Sequence, residues 1–378
     1  MDPKAAARAH VSRYETDLVA LSHRIHATPE LKFEEVESSA WTAGLLSDAG
    51  LTVDHGAYEL PTAFECVIGN GPLHLAICAE YDALPAIGHA CGHNIIAATA
   101  VGAALALAPL VDELGLTIHV LGTPAEEGGG GKVFMLERGA FAGVHAAMMV
   151  HPAPYEDPVP RVSAVAHFDV RYHGRESHAA AAPQLGINAA DALTIAQVAI
   201  GLLRQHLQPG DQVHGIVTHG GDAANVVPNE TSGRWMTRAT TETELAALRP
   251  RVHRCFEAGA LATGATLSVE DVAPVYAHME HDLDLVELYR ANDAALGRAP
   301  TPGGEMTFST DMGNVSLEIP SIHPCIAVES AGAVNHQAEF AAACINASAD
   351  RAVLEGSLGM AWTAIDIATG PARDRLLT

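Results

Sequence analysis

The sequence predicts an α/β chain that carries an α+β insertion, and three observations predict it. Short apolar runs alternate with segments of helical period in both flanks of the chain. The middle runs in a different order: strand, helix, strand, strand, helix, strand. Apolar residues make up 48% of the 378 residues and charged ones only 17%, which provides for a large core and excludes a disordered chain.

From Lys4 to Ala27, Val11, Tyr14, Leu18, Leu21 and Ile25 recur at three- and four-residue steps, as in an amphipathic helix that Thr28-Pro29-Glu30 ends. A second helix is expected over Glu34–Ala49, closed by Gly50. Phe64–Ile68, Leu73–Cys78, Leu116–Leu121 and Ala146–Val150 are too short for helices and are bounded by Gly, Pro or Asn, so they read as buried strands. Helices over Ile95–Val111 and Val133–Arg138 fall between them, which predicts a largely parallel sheet. Ile95–Val111 is uncharged but rich in Ala and short of the ~20 apolar residues of a membrane span, so it reads as a core helix.

The insertion is placed at 163–277, between flanks at 1–162 and 278–378. Its elements are a strand at Val162–Tyr172, a helix at Ile187–His206, strands at Gln212–Thr218 and Arg234–Ala239, a helix at Glu242–Ala262 and a strand at Thr266–Asp271. This is the split βαβ order. Beyond it come a helix near Asp284–Leu296, a strand at Ile326–Glu329 and a final helix near Glu339–Ala368.

Lys and Arg total 21 against 45 Asp and Glu, a formal net charge of -24. Such a field repels phosphate backbones and anionic lipid, so neither nucleic acid nor a membrane surface is an expected partner. The six Cys include no CxxC pair, and Met1–His10 has charged residues and no apolar core. A reduced, cytoplasmic protein without a signal peptide is the expectation. Gly128–Gly131 is a turn, because Lys132 is followed by Val133 and not by the Ser or Thr of a phosphate loop.

The chemistry-bearing residues collect where strands end, the usual place for sites in α/β sheets. After Leu73–Cys78 come Glu80-Tyr81-Asp82 and then His89-Ala90-Cys91-Gly92-His93-Asn94. Cys91 and His93 are soft donors two apart and suit a divalent ion such as zinc, although a buried thiol and a helix-capping His would look the same. After Leu116–Leu121 comes Glu126-Glu127: either a solvated acidic turn, or a pair in which one carboxylate ligates a metal while its neighbour carries protons. His151 and His336 follow two further strands. A lone His is usually structural; donors at four separate strand ends argue together for a metal site.

Through these residues, the chain resembles the dinuclear-metal amidohydrolases and dipeptidases that include aminoacylase-type enzymes, hippurate hydrolase and the plant auxin-conjugate hydrolases. The resemblance runs from His23-Arg24-Ile25-His26 to Asn335-His336 through HACGHN, GTPAEE, VHP and GRESHAAAAP. Within that family it is most similar to the branch acting on β-alanyl-lysine and other Xaa-basic dipeptides, through Ala333-Val334-Asn335-His336 and Ser309-Thr310-Asp311-Met312-Gly313-Asn314-Val315-Ser316.

The resemblance implies a three-layer, zinc-peptidase-like catalytic domain with the insertion as lid and dimerisation domain. It implies that Cys91, His93, Glu127, His151 and His336 ligate two divalent ions, zinc or manganese, and that Asp82 orients a ligand. Glu126 is then the general base acting on a metal-bridging water. His178 would reach a partner subunit's site in a homodimer and hold the oxyanion. Asn225 and Arg238 would grip the substrate carboxylate, with closure of the lid bringing Arg238 in. Read without the resemblance, His178 is a helix-entry residue and Arg238 part of a surface salt bridge. The implied substrate is a dipeptide or N-acyl amino acid, and the alternative to a dipeptidase is an aminoacylase or hippurate-type hydrolase of apolar N-acyl amino acids.

Overall fold

A computed structural model describes residues 2–301 and 306–378. The chain divides into two compact units, one reaching to Arg161 and resuming at Met279–Thr378, the other Val162–His278.

In the first unit, helix α1 (Pro3–Ala27) starts on the side chain of Asp2, which accepts the Lys4 amide. It is followed by α2 (Val36–Asp48) and the strands β1 (Val53–His55), β2 (Phe64–Gly69) and β3 (Leu73–Ala79). Then come α3 (His93–Leu107), β4 (Leu116–Gly122), α4 (Gly131–Glu137), β5 (Ala146–Met148) and β6 (His151–Ala153). The second unit holds β7 (Ala164–His173), α5 (Ala189–Leu203), β8 (Gln212–His219), β9 (Glu230–Ala239), α6 (Glu242–Thr263) and β10 (Thr266–Asp271). The chain then returns to the first unit with α7 (Leu283–Ala295), α8 (Met312–Glu318), β11 (Ser321–Ile322), β12 (Cys325–Ala327) and α9 (Ala347–Thr369).

The main sheet has the order β1-β2-β4-β3-β5-β11. The strands from β4 to β11 run parallel. The sheet is largely parallel, as expected, with one strand reversed: β2 is antiparallel to both β4 and β1. Only Asn70-Gly71-Pro72 separates β2 from β3, too few residues for the crossover that a parallel partner needs. The strand β1 is three residues long and gave no apolar signal.

One correction concerns the C-terminal helix. Asn346 interrupts it and its side chain accepts the Ser348 and Ala349 amides, at 2.8 and 3.0 Å, so that α9 begins afresh behind a short helix at Ala338–Ala343. Helix α3 is buried along its whole length and packs against α1 and α9, which accounts for its lack of charge. No helix among the described residues is long and apolar enough to cross a membrane.

The second unit has the predicted element order and a four-stranded antiparallel sheet, β10-β7-β9-β8. Alternate residues of β9 are buried: Thr231, Gly233, Trp235, Thr237 and Ala239. With Phe168, Val170, Leu248, Val252 and Phe256 they carry α5 and α6 over the sheet.

Gly102 marks how closely α3 and α9 approach, since a Cβ there would lie 2.2 Å from Ser357 Oγ. Gly44, inside α2, has nothing within 4 Å of that position. Gly102→Val should therefore lose about 2–3 kcal/mol, whereas Gly44→Ala should gain about 0.5–1 kcal/mol from the cheaper unfolded chain. Urea unfolding of the two variants checks both signs.

Candidate metal centre

The end of β3 delivers Glu80 and Asp82, and the end of β4 delivers Glu126 and Glu127. Helix α3 opens with His93 behind Gly92, whose φ of 77° favours glycine and whose missing Cβ would meet Pro152 Cγ at 2.5 Å. The strand β6 starts at His151 and pairs with β12. The turn after β12 carries His336, whose amide donates to the Ala90 carbonyl at 2.9 Å. His336 itself sits at φ 68°, backbone strain of the kind that clusters at functional sites.

These pieces converge. Cys91, His93 and His151 form one group whose donor atoms all lie within 4.8 Å of one another; Cys91, Glu127 and His336 form a second. Cys91 belongs to both. His336 Nε2 is 3.0 Å from Cys91 Sγ and 3.8 Å from Glu127 Oε1. A third group with the same spacing joins Glu80, His93 and Glu126, with His93 Nε2 3.4 Å from Glu80 Oε2 and 3.8 Å from Glu126 Oε2.

The imidazoles are set as ligands. His93 donates Nδ1–H to Asp82 Oδ1 at 2.9 Å, and His151 donates Nδ1–H to the Pro152 carbonyl at 2.9 Å. Both Nε2 atoms are thereby directed into the cluster. His93 Nε2, Glu80 Oε2 and Glu127 Oε1 are buried and make no hydrogen bond. Orphaned acceptors of this kind, beside a cysteine, are a donor set that fits borderline-soft divalent ions.

The electrostatics agree with a cation site. Burial, then the charge of Glu80 and of Glu127, pushes the Glu126 carboxyl well up. Burial, then Glu127 and Glu126, does the same to the Cys91 thiol. Burial would lower His93, but the carboxylates of Asp82, Glu80 and Glu127 raise it well above its ordinary value. Burial would raise Asp82, yet His93 and the Glu127 amide, which donates to its Oδ2 at 2.8 Å, hold it below the usual range. Burial and His93 bring His151 down to about 4, so it is a neutral imidazole at pH 7.

Four residues that the sequence reading left without a role support this cluster. Lys132 is fully buried; its ammonium pairs with Glu80 Oε1 and, at 2.8 Å, with Asp311 Oδ1, while its amide donates to Asp311 Oδ2 at 2.9 Å. Glu35, equally buried, accepts the Ala125 amide at 2.9 Å, and burial and the charge of Asp82 push its carboxyl up to about 7. A visible signal for Lys132 was its position between a glycine run and an apolar segment, and for Asp311 its place in the 309–316 motif.

His178, Asn225 and Arg238 belong to the second unit. His178 is exposed, and its Nδ1 accepts the Ala180 and Ala181 amides at 3.2 and 3.1 Å, which leaves the ring proton on Nε2. The Asn225 carbonyl accepts the Ala179 amide at 3.0 Å, so these two loops are joined. Arg238 lies on β9 and donates Nε–H to His214 Nε2 at 3.2 Å.

The family profile of Peptidase family M20/M25/M40 matches residues 76–352. The Xaa-Arg dipeptidase of Mus musculus is 35% identical over 98% of this chain and 90% of its own length, and that of Homo sapiens is 34% identical over 94% and 86%. Among solved structures, a dinuclear metal-binding peptidase of the M20 family from Bacillus subtilis superimposes with a TM-score of 0.72 at 21% identity, covering 95% of this chain and 99% of that one. An aminobenzoyl-glutamate utilization protein from Klebsiella pneumoniae gives 0.71 at 19% identity, over 92% and 97%. The strand-end cluster and these likenesses agree: the chain is a hydrolase belonging to peptidase family M20/M25/M40.

Proposed function

We propose that the chain hydrolyses the amide bond of a small dipeptide or N-acyl amino acid with a free carboxylate, and that its preferred substrates are dipeptides with a basic C-terminal residue. The observation that carries the reading is the sharing of Cys91 between two ligand groups, with Glu126 beside them. The preference for a basic residue is supported by the likeness to the Xaa-Arg dipeptidases along nearly the whole chain.

Cys91, His93 and His151 would hold one divalent ion, and Cys91, Glu127 and His336 the other. When bound, the ions supply Lewis acidity, acidifying a water and polarising the substrate carbonyl. Glu126 takes the proton from the attacking water and returns it to the leaving nitrogen. Asp82 keeps His93 in its ligand tautomer and fixes the Glu127 backbone with its second oxygen. His178 presents an Nε2–H donor suited to an oxyanion, in line with its expected role toward a partner subunit. Arg238, steadied by a neutral His214, and Asn225 receive the carboxylate. Dimerisation through the second unit is supported by Val198 and Leu202 on α5 and by Ile216 and Val217 on the edge strand β8, all exposed apolar residues.

Glu126→Gln should leave metal content unchanged while lowering kcat by about 100-fold or more; a variant with near-normal kcat removes Glu126 as the base. Cys91→Ala should lower bound zinc or manganese in elemental analysis, and unchanged content removes Cys91 from the ligand set. In a panel of β-alanyl-lysine, an Ala-Arg dipeptide, carnosine, hippurate and N-acetyl-methionine, kcat/KM should be at least about tenfold higher for the basic dipeptides than for the N-acyl substrates, a margin of ~1.4 kcal/mol in transition-state binding. The reverse order points to the aminoacylase reading.

A further inference from the structure

We propose that Glu35 is a positioning residue for Glu126, acting through the backbone of the turn that carries it; this rests on the reading of Glu126 as the base. Glu35 stands just before α2 and its carboxylate is fully buried. Its Oε1 accepts the Ala125 amide at 2.9 Å and the Phe33 amide at 2.8 Å, and its Oε2 accepts the Thr62 hydroxyl at 2.9 Å. Ala125 and Phe33 both have φ 62°, a left-handed conformation that residues with a Cβ hold only where their surroundings impose it. One carboxylate oxygen thus ties down two such residues, one in each segment.

The clamp is complete on both sides of Glu126. The Ala125 carbonyl accepts the Gly129 and Gly130 amides at 3.1 and 2.9 Å. On the other side, the Glu127 amide is held by Asp82 at 2.8 Å. The Pro124–Ala125 peptide on one side of Glu126 and the Glu126–Glu127 peptide on the other are therefore anchored by carboxylates from two different segments. The segment that bears Glu35 also braces the end of β3, where the Ala83 amide donates to the Glu30 carbonyl at 2.8 Å. A general base works only within hydrogen-bond reach of its proton, so a rotation of this turn too small to take Glu127 out of ligating reach still changes kcat.

Three variants and one exchange measurement test the assignment. Glu35→Gln can keep a carbonyl oxygen at the Oε1 position and offer its NH2 to the Thr62 oxygen, so kcat should stay within about threefold of wild type. Glu35→Leu keeps the bulk without the acceptor; kcat should fall about 30-fold or more, with KM within about threefold and metal content unchanged. Glu35→Asp, one methylene shorter, provides the same test should the leucine variant not fold, with an expected loss of about tenfold. In metal-free protein, peptide-resolved hydrogen exchange over residues 124–127 should be faster in the leucine or aspartate variant than in wild type or Glu35→Gln. Wild-type kcat in both Glu35→Leu and Glu35→Asp, a glutamine variant as impaired as these, a loss confined to KM or metal content, or unchanged exchange overturns the proposal. Near-normal kcat in Glu126→Gln would sink the base reading itself, and an inactive Glu126→Gln beside a fully active Glu35→Leu would sink only the positioning role.

Discussion

Glu80, Asp82, Glu126 and Asp311 are all buried around one lysine and one imidazole, and the arrangement of the strand ends follows from how that charge is offset. An ionised carboxylate taken out of water costs several kcal/mol unless a positive partner or a set of hydrogen bonds replaces its hydration. Lys132 offsets part of the charge through Glu80 and Asp311. What it leaves is the free oxygen of Glu80, together with Glu126, Glu127 and the Cys91 sulfur, facing His93 and His336. A region built this way favours positive charge, and donors of mixed carboxylate, imidazole and thiol type suit a divalent ion.

The same constraint explains what the sequence made legible. Cys, His and Glu at strand ends interrupt otherwise apolar runs, so Cys91, His93, Glu127, His151 and His336 stand out as the wrong residue types for a core. The strands β3, β4 and β5 read correctly because burial on both faces leaves nearly continuous apolar runs, whereas β2 alternates buried Phe64, Cys66 and Ile68 with more exposed neighbours. The second unit is legible through the order of its elements, strand, helix, strand, strand, helix, strand, and its strand β9 alternates inward and outward residues.

The residues that escaped sequence reading share one property, that their partners are distant in sequence. Glu35 looks like the first turn of an exposed helix, and nothing near it announces that it reaches Ala125. Lys132 follows a glycine run, and its partners Glu80 and Asp311 come from the end of β3 and the start of α8. The interrupted C-terminal helix has a local cause, the capping side chain of Asn346, but the apolar period continues across it and hides the break. The reversal of β2 depends on strand order, which periodicity does not encode.

Adjacent placement of Glu126 and Glu127 sets a further requirement. The two carboxylates are one peptide apart yet serve different neighbours: Glu127 Oε1 faces His336 while Glu126 Oε2 faces His93. A flexible turn would let them exchange places, and under the proposed roles a proton carrier that could also ligate would be lost to the ions. Fixing the Pro124–Ala125 peptide through Glu35, and the peptide within the pair through Asp82, removes that freedom. Asp82 does so with the oxygen that His93 leaves available, so one buried carboxylate sets both an imidazole and the turn opposite it. Division of labour between neighbouring glutamates is thus a property of the backbone around them as much as of their own side chains.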